Sequence, residues 1–215
     1  MKIAFESQLL LSKNRTGIGW CADNLIKEIA ADPEFECQCD YFTVRQPDER
    51  IKRVNIYEKY GAAMNPCKWF HNVLYKMIWP IVPVPYRLFF GKERDITQFF
   101  NFVVPPGIKG KVVTIVHDMA YKACPETVNK KTRKWLEITL KASCKRADII
   151  ITVSEFSKQE IVKYLNINPE KIRVMPNGVD LELYHPQYDK KAIEITKEHF
   201  NIEGDYFLYL GTLEP

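Results

Sequence analysis

Two ionisable residues, His117 and Asp118, stand directly after the apolar or β-branched run Val112 to Val116. Such a run predicts a strand that is buried on both faces, as in a parallel sheet. In open α/β sheets, ligands bind in the crevice beyond the carboxyl ends of the strands. The pair is therefore a candidate functional site. A purely structural alternative is that the histidine satisfies a backbone carbonyl and the aspartate caps a turn.

A second candidate is the loop that contains Gly17 and Gly19. It follows a predicted strand at residues 2–6 and precedes a predicted helix at about residues 20–31, whose apolar residues recur at helical spacing. Glycines there let the backbone approach a phosphate group, and a helix N-terminus offers free N–H groups. The full GxGxxG pattern is absent, because Ala22 occupies the last position. A flexible turn is an equally good interpretation of this loop.

Strands and helices alternate along the chain, which predicts an α/β fold with a doubly wound parallel sheet. Further strands are expected at residues 35–42, 95–102, 147–153 and 171–175. Helices are expected at 129–146 and after Ser154, which is placed to cap the second of them. Residues 45–53 are expected to form a charged loop.

The segment 66–90 is rich in aromatic and basic residues, and a helix is predicted over residues 66–79. This composition is typical of helices that lie on a membrane surface, although a core-facing helix with solvent-reaching lysines is a simpler alternative. The apolar tract 78–90 is interrupted by three prolines and Arg87, and it is too short to span a bilayer.

Composition narrows the function classes. The 215 residues carry a formal net charge of +4, which is compatible with an anionic ligand or membrane surface but too weak to indicate nucleic acid binding. The six cysteines form no CxxC pair and no zinc-finger spacing with histidine, so we expect reduced thiols, no metal site and a cytoplasmic protein. The N-terminus lacks the apolar core of a signal peptide.

The last residues predict a helix at 190–200 and a strand at 205–210 that leads into Gly211 and Thr212. A buried strand followed by a Gly-Thr loop normally opens a new βα unit. We therefore expect one Rossmann-like domain over residues 1–186, and an interdomain segment with the first strand of a second domain over residues 187–215.

Five motifs occur together in this order: GIGWCADNL, the strand that ends in His117-Asp118, ADIIITVSEFSKQEI, IRVMPNGVD and FLYLGTLEP. With them the chain resembles the N-terminal half of a family 4 retaining nucleotide-sugar glycosyltransferase. The resemblance implies the acceptor-side domain of a GT-B fold, in which two Rossmann-like domains face each other. It further implies transfer of a hexose, similar to mannose, to a glycan or lipid-linked acceptor in bacterial surface-polysaccharide biosynthesis.

The resemblance also implies roles for individual residues. Gly17, Ile18 and Gly19 would face the donor diphosphate, as would Gly211 and Thr212 in the second domain. His117 would be the catalytic residue beside the acceptor hydroxyl, and Asp118 and Ser154 would line the acceptor site. No cofactor or metal is implied. The protein would act in the cytoplasm, with peripheral contact to the inner membrane face.

Two other function classes remain open. One is a different enzyme on the same two-domain fold, either a sugar-nucleotide epimerase or an enzyme similar to glycogen phosphorylase, although no lysine or phosphate-site motif of the phosphorylase kind is visible. The other is a non-catalytic Rossmann-like subunit that binds a glycan or lipid carrier. A Glu-x7-Glu pattern encoded downstream of residue 215 would favour the glycosyltransferase over the binding subunit.

Overall fold

The computed structural model of the chain describes residues 1–91 and 94–209. The chain divides into two compact units, residues 1–176 and residues 177–215. The first unit contains the sheet and both hydrophobic clusters described below.

Seven strands of the described chain form one sheet in which every neighbouring pair is parallel. Their order is β3-β2-β1-β4-β5-β6-β7. Their bounds are β1 Lys2–Glu6, β2 Glu36–Phe42, β3 Ala63–Cys67, β4 Ile96–Phe99, β5 Lys111–Ile115, β6 Ile149–Thr152 and β7 Ile172–Val174. The predicted Rossmann-like, doubly wound parallel sheet is confirmed.

Helices connect most of the strands. Their bounds are α1 Gly17–Ala31, α2 Asp48–Asn55, α3 Asn72–Ile78, α4 Arg87–Phe90, α5 Ala120–Ala123, α6 Lys130–Arg146, α7 Glu155–Leu165 and α8 Lys190–His199. The predicted cap of α7 is confirmed, because the Ser154 hydroxyl accepts a hydrogen bond of 3.1 Å from the Ser157 amide. Asn129 caps α6 in the same way through the Lys131 amide.

Each face of the sheet is covered by its own hydrophobic cluster. On one face, α1 and α2 pack against β1 and β2 through side chains such as Ile26, Val54 and Phe5. On the other face, α3, α4, α6 and α7 pack against the sheet through a cluster that includes Phe89 and Leu140. Two-sided burial accounts for the apolar sequence of β5, where Val112, Ile115 and the following Val116 are buried.

The loop that joins β4 to β5 contains no helix and turns sharply at Gly110. Gly110 has a φ of +84°, and a Cβ at this position would clash with the carbonyl oxygen of Arg94. A side chain is therefore excluded here. The tight turn brings the chain directly into β5, which ends at the candidate pair His117 and Asp118.

Three local predictions in the first unit were wrong. Residues 45–53 are not wholly a loop, because α2 begins at Asp48, where two acidic residues favour a helix N-terminus. The helix predicted over 66–79 begins only at Asn72, since residues 63–67 form the edge strand β3, in which Pro66 is tolerated. Helix α1 begins at Gly17 rather than near Trp20, so both glycines of the candidate loop lie in its first turn.

The second unit contains α8, which Asp189 caps by accepting a hydrogen bond of 3.1 Å from the Lys191 amide. The strand predicted at 205–210 is wrong for the described residues 205–209, which are exposed and have no regular secondary structure. A strand needs a hydrogen-bonding neighbour, and the described part of this unit, residues 177–209, supplies none. The domain boundary at residue 187 stays a prediction. Gly211 and Thr212 lie outside the described residues.

Candidate functional site

The order of the strands places a crevice between β1 and β4. The chain leaves β1 towards β2 on one side, and it returns from β3 to β4 on the other side of β1. This divergence is the topological switch point at which open α/β sheets bind ligands. Beyond the carboxyl ends of these two strands lies a cavity of about 580 Å³, within the size range of small-molecule sites.

The walls of this cavity, which we call the switch-point cavity, come from β1, α1, α3, α6 and the β4–β5 loop. Its aromatic lining includes Phe42, Tyr75, Trp79, Phe102 and Trp135. Its polar lining includes Glu6, Gln8, Arg50, Asn72, Lys76 and Asn101. An aromatic wall with a few convergent polar groups is typical of binding sites for small molecules.

Glu6, the last residue of β1, is partly buried in the wall of this cavity. Burial raises the pKa of its carboxyl group, and the nearby charge of Lys76 and the backbone N–H of Gln8 only partly offset this. Sequence reasoning missed Glu6. Its position at the end of the first strand was visible in the sequence, but the strand order that puts β1 at the switch point was not.

The aromatic wall is held in place by its own packing. The rings of Trp79 and Trp135 meet edge to face with centroids 5.6 Å apart, and the Arg146 guanidinium lies 5.5 Å from the centroid of the Trp79 ring. Arg146 is fixed in turn by donating hydrogen bonds of 2.8 and 3.0 Å to the carbonyl oxygen of Val104. Trp135 remains half-buried and lines the cavity.

The predicted phosphate loop lies at one end of the same cavity. Ile18 lines the cavity, and Gly17 is exposed, with no heavy atom within 4 Å of the position its Cβ would take. Gly19 is buried, and a Cβ there would lie 3.4 Å from the Arg15 side chain. The side chain of Thr16 does not cap α1. This end of the helix is therefore open to a ligand.

A buried ionic cluster fixes the approach to this loop. The carboxylate of Asp23, fully buried in α1, lies 2.9 Å from Arg15 Nη1 and 2.8 Å from Lys27 Nζ. It also accepts a hydrogen bond from the hydroxyl of Tyr57. Arg15 immediately precedes Thr16 and the glycines, so Asp23 anchors the turn through which the chain enters α1.

His117 and Asp118 follow β5 at the same edge of the sheet, and both make the contacts of the structural alternative. Nε2 of His117 lies 2.9 Å from the carbonyl oxygen of Phe100, and a carboxylate oxygen of Asp118 accepts a hydrogen bond of 2.9 Å from the Ala120 amide. The His117 ring also packs edge to face on Phe102, with centroids 5.6 Å apart. Since Phe102 lines the switch-point cavity, His117 stands directly behind the cavity wall.

Ser154 is joined to His117 through the first turn of α7. Ser154 caps this helix, and the hydroxyl of Ser157 donates a hydrogen bond of 3.3 Å to the main-chain oxygen of His117. The structure thus brings together the carboxyl ends of β5 and β6. Among the described residues, neither His117 nor Ser154 belongs to the lining of the switch-point cavity.

Residues 1–91 and 94–209 contain neither a metal-ion site nor a membrane-spanning helix. No group of three or more histidine, cysteine, aspartate or glutamate side chains is arranged to hold a metal ion there. No helix in the same ranges has both the length and the apolar character needed to cross a membrane. The six cysteines are all free thiols.

The family model and the relatives that match the chain are all glycosyltransferases. Residues 16–183 match the family model Glycosyltransferase Family 4. The whole chain is 30% identical to O-antigen chain mannosyltransferase B of Escherichia coli over 226 aligned residues, which cover 57% of that protein. A 104-residue stretch, 48% of the chain, is 38% identical to the Escherichia coli UDP-Gal:alpha-D-GlcNAc-diphosphoundecaprenol alpha-1,3-galactosyltransferase, of which it covers 26%.

The chain thus spans little more than half the length of the first of these relatives. The family match covers the strands that surround the switch-point cavity, apart from β1. Together with the parallel sheet and its order, this match settles the family suggested by the sequence motifs. The chain belongs to glycosyltransferase family 4.

Proposed function

We propose that the protein transfers a hexose, similar to mannose, from a nucleotide-sugar to a glycan or lipid-linked acceptor in surface-polysaccharide biosynthesis. The observation that carries the proposal is the switch-point cavity, which opens between the Gly17–Gly19 turn and the end of β4 in a family 4 chain. The mannose-like donor is supported by the name of the relative that aligns with the whole chain.

The proposal divides the site into two parts. Gly17, Ile18 and Gly19 face the donor diphosphate with the N-terminus of α1, whose N–H groups and dipole favour negative charge. Gly211 and Thr212 contribute from the second domain. Neutralising the charge of the departing diphosphate is the main requirement for breaking the sugar–phosphate bond. Retention of the anomeric configuration is part of the proposal through the family resemblance.

The acceptor side of the site contains His117, Asp118 and Ser154. The carboxyl edge of the sheet is where this architecture binds ligands, and His117 packs on Phe102, which lines the cavity. The proposal assigns the imidazole as the catalytic group beside the acceptor hydroxyl. Asp118 and Ser154 hold the turns on either side of it.

The protein acts in the cytoplasm and contacts the inner membrane face through the segment 66–90. Seven large apolar side chains of this segment are exposed: Trp69, Val73, Leu74, Met77, Ile81, Val82 and Leu88. Residues 61–91 contain three basic residues and no acidic residue, a pattern that favours an anionic lipid surface. The opposite face of α3 carries Tyr75 and Lys76, which line the cavity, so a lipid-linked acceptor could reach the site from the membrane.

The proposal is tested by a transfer assay with the gene product at full length. Radiolabelled GDP-mannose and UDP-galactose are each offered with a short saccharide linked to diphosphoundecaprenol, and the lipid product is extracted and counted. We expect transfer from GDP-mannose and little from UDP-galactose. Absence of transfer from any nucleotide-sugar in a panel of donors and acceptors, with a folded protein, would contradict the proposal.

A further inference from the structure

The carboxyl group of Glu6 has unused hydrogen-bonding capacity in the switch-point cavity. A carboxylate offers about four acceptor sites. In the described part of the chain no side chain donates a hydrogen bond to Glu6, whose carboxyl group lines the cavity and interacts with the backbone N–H of Gln8 and the charge of Lys76. This half-buried carboxylate therefore has acceptor sites left for a ligand. A ligand that carries several hydroxyl groups would supply hydrogen-bond donors to the carboxylate of Glu6.

The surroundings of Glu6 narrow the chemistry of that ligand. Trp135 offers a half-buried aromatic surface to the same cavity, on which an apolar face can pack. Asn72 and Asn101 add amide groups that both donate and accept hydrogen bonds. A pyranose ring has an apolar face of C–H groups and a rim of hydroxyls. It therefore matches the aromatic surface and the polar groups of this lining.

The position of the cavity fits the acceptor rather than the donor. Glu6 ends β1, whereas the glycines that face the donor diphosphate open α1 at the side where Ile18 borders the cavity. Phe102, another lining residue, packs on His117, so the cavity lies on the same side of the sheet edge as the proposed catalytic histidine. A carboxylate in the donor diphosphate site would repel the phosphates.

We propose that Glu6 binds the terminal sugar of the acceptor in the switch-point cavity, accepting hydrogen bonds from its hydroxyl groups while the ring packs on Trp135. This inference rests on the proposed function and adds the residue that selects the acceptor. Glu6 positions the sugar; the reacting hydroxyl is the one turned towards His117. A change at Glu6 therefore affects acceptor affinity far more than the chemical step.

The first test measures binding without any transfer. Saturation-transfer NMR is recorded on the 215-residue chain with methyl glycosides of mannose, galactose, glucose and N-acetylglucosamine. We expect saturation of at least one glycoside, lost in Glu6→Ala and in Trp135→Ala. The matched control is Glu28→Gln, which changes an exposed carboxylate of α1 outside the cavity and leaves the signal unchanged. Saturation of no glycoside, or equal saturation in the Glu6 variant, would overturn the inference.

The second test separates this inference from the proposed function, using the full-length gene product. Glu6→Gln keeps the shape of the side chain and removes the charge, and we expect KM for the acceptor to rise at least tenfold with little change in kcat or in donor KM. An acceptor that lacks the bound hydroxyl should lose about tenfold in affinity for the unmodified protein and almost none for the variant, a coupling that a merely structural role would not give.

The outcomes are distinct. If transfer occurs and Glu6→Gln leaves acceptor KM unchanged, the role of Glu6 is wrong while the glycosyltransferase function stands. If no nucleotide-sugar is used but glycosides still bind through Glu6, the function is wrong and the sugar site stands. A circular dichroism melt of each variant identifies any that fails to fold, and Glu6→Gln then replaces Glu6→Ala in the NMR test.

Discussion

Nε2 of His117 lies 2.9 Å from the carbonyl oxygen of Phe100 and links the ends of the neighbouring strands β4 and β5. A carbonyl oxygen can only accept a hydrogen bond, so Nε2 carries the proton in this contact. In the neutral imidazole, Nδ1 is then left as an acceptor. The same bond that satisfies the structural role of His117 therefore fixes its orientation and its tautomer, as expected for a histidine that contacts an acceptor hydroxyl.

This relationship leads to the first prediction. His117→Ala removes both the bond to Phe100 and the imidazole, and we expect transfer to fall about 100-fold, with a loss of about 1 kcal/mol in unfolding free energy. His117→Gln retains an amide donor that can reach the carbonyl, so it should restore the stability without restoring transfer. Donor affinity should be unchanged in both variants. Equal transfer by His117→Gln and the unmodified protein would restrict His117 to its structural role.

The central strand β5 and the position of His117 and Asp118 at its end could be predicted from the sequence. β5 is buried on both faces, and its apolar run has no other simple interpretation. The edge of the sheet was harder to predict. β3 contains Pro66 and lies beside a short helix, and its residues are only partly apolar. The site was found only in part, because Glu6 gains its position from the pairing of β1 with β4, a contact between residues about 90 positions apart that no local pattern encodes.

The second prediction concerns the buried anchor of the phosphate loop. Asp23→Asn removes the negative charge shared by Arg15 and Lys27, and leaves two cations without their counter-ion. We expect a loss of about 3 kcal/mol in unfolding free energy in urea, since breaking a buried ion pair costs more than the pair contributes. Amide exchange should also accelerate at Trp20, whose N–H donates a hydrogen bond of 3.0 Å to the carbonyl oxygen of Thr16 in the same turn. Glu28→Gln, on the exposed side of the same helix, is the control. Unchanged exchange in Asp23→Asn would show that the loop does not depend on this anchor.

The third prediction is a pH dependence that arises from Asp40. Its carboxyl accepts hydrogen bonds from Gln38, Asn65 and Tyr86, yet burial raises its pKa from 3.8 to about 7. The folded state thus holds a proton that the unfolded state releases near pH 4, and the stability of the fold decreases as the pH rises from about 4 to about 7.

Asp40→Asn abolishes this titration. The unfolding free energy of the variant relative to the unmodified protein should therefore rise by at most about 4 kcal/mol between pH 4 and pH 7. Above pH 7 the difference should stay level. Urea melts at pH 4.5, 6 and 8 give the unfolding free energy of both proteins. The contributions of the other titrating groups are common to both proteins, so they cancel in the difference. Parallel stability curves for the two proteins would mean that Asp40 is already ionised at pH 4.5.

The fourth prediction tests the membrane-facing segment. The double variant Leu74→Glu/Met77→Glu places two charges among the exposed apolar side chains of α3. We expect co-sedimentation with vesicles of anionic phospholipid to fall at least tenfold, because each buried apolar side chain contributes about 2 kcal/mol. Lys68→Glu with Arg87→Glu should weaken mainly the salt-sensitive part of the binding.

Phe156→Glu is the matched control, because Phe156 is equally exposed but belongs to α7. It should leave vesicle binding unchanged. If the unmodified protein does not sediment with anionic vesicles at low salt, the proposed membrane contact is wrong, and the apolar surface of α3 has another role.

The last prediction is that the 215-residue chain folds cooperatively but does not bind nucleotide-sugars tightly. The unit 1–176 contains the complete sheet with a hydrophobic cluster on each face, so a single thermal transition is expected for it. The Gly17–Gly19 turn offers only one helix terminus to a diphosphate, worth about 0.3–1 kcal/mol, whereas micromolar binding needs about 8 kcal/mol. Arg15, the nearest basic residue in the chain, is already paired with Asp23.

Isothermal titration with GDP, UDP and their sugar conjugates should therefore give no micromolar dissociation constant, in a sample whose melt confirms that it is folded. A micromolar constant would mean that the donor site lies within residues 1–176, and that the switch-point cavity receives the nucleotide rather than the acceptor sugar.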